Sequence, residues 1–448
     1  MHTRYRWTRL ASENEHPAAS TRLPRGWGLA KSRFNTLGCT IRLTIAFSLA
    51  CLSLFALWEF EIPGKIHAHM KDSWFVKEAS GDAFSASMYL NGPPSAGFRD
   101  NLRSDTAYIT SWGSGGWSND VISVINLIYL GMITSRIPVI PVFLPSHQLL
   151  NAWAGNAAEN PLPFSEVFDL PYLRKATRTP ILEWSDVKRR DASTLMESVG
   201  CWSVWQAIQN EDPAPRQSFM PWFLKLDVSY TKTPDFVKLK PGNENDPPDE
   251  QLLCYDCLYY VSARETDELE LDYSPAWRFV GQYFRWAPRV ERIGEEYLRK
   301  TLDVLEEEAI PPYIAVHVRH NDFLAWCNGL PPEECFAPLS SIKQHVEDVR
   351  EELRADEGLE HVQVIITSDE KNATWWEEVD ELGWLRVDHR RTKDVYGLWY
   401  PILVDEVIHS KSSGFVGTRG STVSILAARR VETWNGGPTR MVEWGTRT

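Results

Sequence analysis

The sequence predicts an α/β protein built from doubly wound parallel sheets. Three observations lead there. From Pro311 onward, short apolar runs alternate with helical patterns along the chain. Near residue 106 a strand, a glycine turn, a helix and a second strand follow one another as a βαβ unit. In both regions, polar or glycine-rich segments sit at the carboxyl ends of apolar strands, where open α/β sheets bind ligands. The chain has 448 residues, 43% hydrophobic and 24% charged, enough for two globular domains of ordinary size.

The N-terminus is basic. Residues 1–42 hold seven Arg and Lys31 against Glu13 and Glu15, a balance of +6. The rest carries −19, the total of −13 less the +6 of that tail. So acidic a body repels phosphate backbones and disfavours nucleic acid as a partner. Residues 43–58, LTIAFSLACLSLFALW, carry no charge. At about 1.5 Å per residue they reach about 24 Å, and flanking residues extend the span. The basic tail predicts a cytoplasmic N-terminus. A cleaved signal peptide is the plain alternative, disfavoured by the long basic region and the weak small-residue cleavage pattern. The expected plan is a tail over 1–42, a single-pass transmembrane anchor over 43–60, and a stem over 61–105. The remainder would lie in a secretory lumen, of the Golgi or the endoplasmic reticulum.

Cysteine usage fits a lumen. Cys39 and Cys51 belong to the anchor region, leaving Cys201, Cys254, Cys257, Cys327 and Cys335. Cys254-Tyr-Asp-Cys257 stands without a second CxxC or a nearby His pair, so zinc is not expected. It reads as one side of a disulfide, with Cys201 a candidate partner. Cys327 and Cys335 bracket the loop NGLPPEE and are placed to close it. Asn372-Ala-Thr374 is an acceptor triplet for N-glycosylation.

The first half is expected over 106–280. TAYITSW reads as a strand, SGGWSN as a turn, and Val121, Ile125, Ile128 and Met132 mark the following helix. IPVIPVFLP reads as the next strand. Residues 145–275 show no clear period; 240–250 form a surface loop, and Glu270-Leu-Asp272 is solvated surface rather than a metal-binding acid pair. Strong helix formers extend from Ala276 past Tyr297. The second half, 281–448, is regular, with strands at 314–318, 362–367, 384–387 and 414–416. Helices are expected at 341–354, 373–382, 400–409 and 421–428.

Chemistry concentrates at the ends of these strands. YIAVHVRHNDF is an apolar strand that runs into His317, Arg319, His320 and Asp322. Arginine suits bidentate phosphate recognition and does not deprotonate. His317 shares a face with Arg319, and Asp322 can orient the guanidinium. A strand-capping ion pair with a core histidine is the bland reading. In GFVGTRGSTVS, Ser421 and Thr422 open a helix after a glycine turn, which suits a phosphate or a plain N-cap. In WGSGGWSND, Gly116 allows close backbone approach and Asn119 offers both donor and acceptor.

Together these segments resemble the GDP-fucose-dependent O-fucosyltransferase superfamily, and in particular its fungal-type relatives. His317-Val-Arg319-His-Asn-Asp322 matches the H-x-R-x-x-D strand end. Asp405 precedes Ser421 by sixteen residues, with Phe415-Val-Gly417 between them, and the early glycine turn ends in Asn119. The resemblance implies a GT-B-like architecture of two Rossmann-like domains facing a cleft, an acceptor-side domain first and a donor-nucleotide domain second. It implies inverting transfer of fucose from GDP-fucose to a protein or glycan hydroxyl, without cofactor or essential metal. Arg319 would meet the β-phosphate and glycosidic oxygen. His317 and Asp405 would hold the nucleotide, Asp405 through guanine. Ser421 and Thr422 would bind phosphates, with Asn119 and Gly116 reaching the donor from the first domain. Thr418 stands where the family often has Asn, and the acid some relatives carry before the glycine turn is replaced by glycine. The general base is therefore open between Asp120, Asp322 as an orienting group, and none. Transfer of another GDP-sugar, or sugar or protein binding without catalysis, are the alternatives.

Overall fold

The computed structural model describes residues 84–113, 115–145, 160–208, 214–233, 251–259 and 274–445. The expected tail, the anchor and the stem as far as residue 83 lie outside the described residues, as do the 240–250 loop and Glu270-Leu-Asp272. Among the described residues no helix is long and apolar enough to cross a membrane.

Two parallel sheets form the fold. The first contains β1 (Tyr108–Ser111), β2 (Ile137–Ile140), β3 (Leu182–Glu183), β4 (Glu197–Ser203), β5 (Leu226–Lys232) and β6 (Leu252–Tyr255), in the order β3-β2-β1-β6-β4-β5. The second contains β7 (Tyr313–Val318), β8 (Gln363–Ser368), β9 (Leu385–Arg386), β10 (Gly414–Thr418) and β11 (Thr439–Val442), in the order β11-β10-β7-β8-β9. In the second sheet the chain moves outward from β7 through β8 to β9, then returns to the other side of β7 with β10. Its strand order therefore reverses between β7 and β10. In the first sheet the reversal falls between β1 and β6. Ligands in open α/β sheets bind beside the strand carboxyl ends at such reversals.

The second sheet is covered on both faces, so β7 is buried at every position. Ile314, Val316 and Val318 pack on helix α3 (Leu339–Glu357) through Val346, Val349 and Leu353. Tyr313 and Ala315 face helices α2 (Pro288–Leu302) and α5 (Tyr400–Lys411), through Ile293, Leu298, Val404 and Ile408. His317 continues the face of Tyr313 and Ala315, by strand alternation. In the first half, helix α1 (Trp117–Thr134) connects β1 to β2 and contributes Leu127 and Leu130 to the core beside Ile109. The remaining long connections in the second half are α4 (Ala373–Glu381) and α6 (Thr422–Arg430).

One expectation needs correction. Residues 84–105, assigned to the stem, are folded into the first half: Phe98 and Leu102 are buried in its core, and Phe98 meets Trp184 edge-on at 5.8 Å. The stretch 145–275 holds four of the six strands of the first sheet. The helical stretches expected around Ala276–Tyr297 are present, with a break between them. The chain makes Pro275–Phe279, a turn at Gly281–Tyr283, and only then α2, which Pro288 opens at its first position. Trp286, in the break, donates its indole N–H to Ser410 Oγ (2.9 Å) and stacks on Phe168 (5.2 Å), so the interruption is a packed joint.

Both disulfide expectations are met, by Cys201–Cys254 and Cys327–Cys335. The first pins β4 to β6, and Cys257 lies outside both bridges.

Candidate functional site

Helix α6 approaches β10 closely because Gly417 has no side chain; a Cβ there would lie 2.6 Å from Ser424 Cβ. Ser424 Oγ then accepts the N–H of Thr418 (3.0 Å) and meets His317 Nδ1 (2.8 Å). Thr418 Oγ1 in turn accepts the N–H of Arg319 (2.9 Å) and donates to the carbonyl of His317 (3.2 Å). The ends of β7 and β10 are thus locked by two hydroxyls. Burial, with the charges of His409 and Arg319 adding to it, pushes His317 well below the usual histidine range. It is a neutral ring with an oriented Nδ1.

At the end of β7, Arg319 is held by two carboxylates. Its Nε donates to Asp322 Oδ1 (2.8 Å), and one terminal nitrogen pairs with Asp369 Oδ2 at 3.2 Å. The Asp369 contact is an ion pair off the ideal hydrogen-bond direction, which is why that oxygen also counts as lacking a hydrogen bond. The second terminal nitrogen of Arg319 has no partner among the described residues. Asp369 Oδ1 accepts the N–H of His320 (2.8 Å), and His320 Nδ1 meets Glu370 Oε2 (2.6 Å) while its ring stacks on Phe336 at 4.3 Å. His320 therefore faces away from Arg319, yet its backbone and ring fix the acids at the end of β8. A cleft lined by Arg319, His320, Phe336, Gly417, Thr418 and Trp444 opens here.

The turn after β10 closes with Ser421 N–H on the Thr418 carbonyl (3.1 Å) and places Gly420 at φ +78°, a conformation glycine adopts without strain. Ser421 is the N-cap residue of α6 but makes no side-chain capping bond. Thr422 donates its hydroxyl to Asn119 Oδ1 at 2.7 Å, across from the first half. The sequence singled out both residues, 303 positions apart, and the fold joins them.

The glycine turn after β1 has its own device. Asp120 Oδ1 accepts the N–H of Gly115 (2.9 Å), and a Cβ on Gly113 would lie 2.6 Å from Asp120 Oδ2. Asp120 is buried under the loop and committed to it. Gly116 is the N-cap position of α1, with open space where a side chain would be. A second cleft, lined by Ser111, Trp112, Gly113, Asp120, Pro141 and Phe143, lies at this strand end.

Asp405 belongs to a separate pair. Its Oδ1 meets His389 Nε2 at 2.7 Å, and His389 stacks on Tyr297. Burial works against charge on His389, but the hydrogen bond and charge of Asp405, with Asp388, outweigh it and raise the ring above its usual range. Sequence reasoning missed Asp369, Ser424 and His389. Asp369 carried a readable signal: VIITSDE repeats, in the strand of β8, the pattern of an apolar run ending in acid that made β7 conspicuous. Among the described residues no three or more His, Cys, Asp or Glu side chains are grouped to hold a metal ion.

Comparison with solved structures finds POFUT1 in complex with GDP-fucose at 13% identity, covering 76% of this chain and 98% of that chain, with a TM-score of 0.48. The fucosyltransferase NodZ from Bradyrhizobium is 14% identical, covering 72% and 93%, with a TM-score of 0.40. No curated relative matches by sequence. The family model of GDP-fucose protein O-fucosyltransferase matches residues 108–433, from the first residue of β1 to beyond the end of α6. That span takes in the whole first sheet, the second sheet except β11, and every strand end described above, and the chain therefore belongs to the GDP-fucose protein O-fucosyltransferase family and is, by that membership, a fucosyltransferase.

Proposed function

We propose that the chain is an inverting, metal-independent transferase that moves fucose from GDP-fucose to a hydroxyl of a protein or glycan acceptor, with the donor lying between the two sheets in a GT-B-like cleft. The observation that carries this reading is Arg319 at the β7–β10 reversal, with one guanidinium nitrogen unclaimed and the start of α6 alongside.

In the reaction the acceptor oxygen bonds to the anomeric carbon as the bond from that carbon to the β-phosphate oxygen breaks on the opposite face. Negative charge develops on the departing GDP. Arg319 and the N–H groups opening α6 are fixed donors aimed at that charge, and they need not reorganise as it grows. Such donors supply what a metal supplies elsewhere. Thr422 and Ser421 would meet the phosphates, with Asn119 and Gly116 closing on the donor from the other half. His317 acts from beneath through Ser424 and Thr418. Asp405, paired with His389, would exchange part of that pairing for the guanine N–H groups. The acceptor proton goes to Asp322, exposed beside Arg319, or directly to water if fucose departs well ahead of attack.

A thermal-shift series tests the donor. GDP at one hundred times its dissociation constant should add about 2.7 kcal/mol of stability. No stabilisation by GDP, or equal stabilisation by UDP, would sink the reading. We also propose a type II, single-pass membrane protein whose catalytic part is lumenal; the two disulfides support an oxidising compartment. An amidase-removable glycan on Asn372, which is exposed, would be the matching observation, and an unmodified Asn372 in protein from a eukaryotic host counts against it.

A further inference from the structure

The first turn of α1 places four consecutive side chains in four different environments. Trp117 packs on Phe143 at 4.5 Å and on Trp399 of the second half at 5.7 Å. Ser118 donates its hydroxyl to Glu406 Oε1 at 3.0 Å. Asn119 accepts from Thr422, and Asp120 holds the glycine turn. Three of the four therefore reach elements of the second half.

Glu406 is the centre of this junction. It has 0% of its surface exposed, and its other oxygen pairs with an Arg430 terminal nitrogen at 2.6 Å. Arg430 is 1% exposed and lies over the Trp286 ring at 4.4 Å. A fully buried ion pair is costly to assemble and stabilises little over a well-packed apolar pair; its best attested use is to fix register. The register fixed here joins three helices. Glu406 follows Asp405 on α5, Arg430 ends the helix that Thr422 begins, and Ser118 precedes Asn119 on α1. One carboxylate ties together three of the elements that bear candidate donor-binding residues.

We propose that Glu406, with Arg430 and Ser118, is a positioning device for the donor pocket: it sets Asn119 against Thr422 so that the two halves present one surface to GDP-fucose. This rests on the functional reading above. The alignment acts before chemistry, on donor binding, because none of the three side chains reaches the strand ends where the bond breaks.

The test uses Ser118, whose loss removes one hydrogen bond and leaves the Glu406–Arg430 pair intact. In the full chain, GDP release from GDP-fucose is measured for wild type, Ser118→Ala and Ser118→Thr. The expected result is a rise of about tenfold in KM for GDP-fucose in Ser118→Ala, equivalent to about 1.4 kcal/mol, with kcat within twofold of wild type. Ser118→Thr, which restores the hydroxyl, should recover most of the affinity. In an Asn119→Ala background the Ser118→Ala change should add little further to KM, since both act through one contact. An unchanged KM, a fall in kcat alone, or full additivity with Asn119→Ala overturns the proposal. Wild type that neither binds GDP nor releases it defeats the functional reading itself, so the two failures are distinguishable.

Discussion

Arg319→Ala is the substitution with the clearest expected magnitude. In the folded protein, Nε and one terminal nitrogen are occupied by Asp322 and Asp369, and Arg319 lines the cleft at the end of β7. Removing a fixed donor aimed at developing charge costs about 10²–10³ in kcat, or about 2.7–4 kcal/mol. Here the loss also unmasks two carboxylates beside the diphosphate. By formal charge the three side chains sum to −1, and the two acids without Arg319 to −2. Both effects oppose departure of GDP, so the expected loss lies at the upper end, about a thousandfold. Stability should change little. The guanidinium is 33% exposed, and Asp322 is 60% exposed, so that pair is screened by water and contributes at most about 1 kcal/mol. Arg319→Lys keeps the charge but cannot serve two carboxylates and a phosphate from one ammonium, and should fall between the two. The assay is GDP release from GDP-fucose, which needs no acceptor, run beside thermal melting. A folded Arg319→Ala enzyme within tenfold of wild type would refute the assignment.

Two further outcomes can be checked by denaturation. Cys201–Cys254 closes a separation of 53 residues and Cys327–Cys335 one of 8, so chain entropy assigns them about 4 and about 2.5 kcal/mol. Cys201→Ser should therefore lower stability more than Cys327→Ser, and the reverse ranking would count against the loop-closure account. The buried histidines set a pH dependence. His409 is held below its usual range, first by burial, so as pH falls through about 6.5 the unfolded chain binds a proton the folded chain refuses. Stability then drops by up to about 1.4 kcal/mol per pH unit. His389 runs the other way: its raised folded pKa contributes stability below about 6.5 that is lost as pH rises through the folded value. Against wild type, His409→Gln should flatten the acid loss and His389→Gln should deepen it; parallel stability curves for all three proteins would contradict both assignments.

The second half of the fold was legible because its strands are buried on both faces. Burial on both faces writes a continuous apolar run, as in IAV and VII, and turns or charged helices bound each run sharply. The first sheet hid its later strands for the opposite reason. In β5, Leu226, Asp227, Val228, Ser229 and Tyr230 alternate in exposure along the sheet edge, so no apolar run forms. In β4, ESVGCWS has a glycine at its centre and a cysteine whose burial serves the disulfide. The stem boundary failed because Phe98 and Leu102 are single anchors in polar sequence; the Trp184 that receives Phe98 lies far along the chain.

The site divides along the same line, and the division bears on how the two halves cooperate. Residues whose role is local were visible: Arg319 with Asp322, three positions apart, and the turn from Thr418 to Thr422. The joins between distant elements were not. Glu406 lies next to Asp405 in the sequence and was not singled out there, yet it is fully buried, and Arg430 and Ser118 meet it from two other helices. A buried carboxylate with one partner from each half is stable only while the halves keep one relative placement. Asn119 and Thr422, which the sequence offered as independent ligand groups, are bonded to each other before any donor arrives. Under the proposed reading this bond holds both groups in one placement for the donor, so weakening that placement from Glu406 is expected to weaken donor binding.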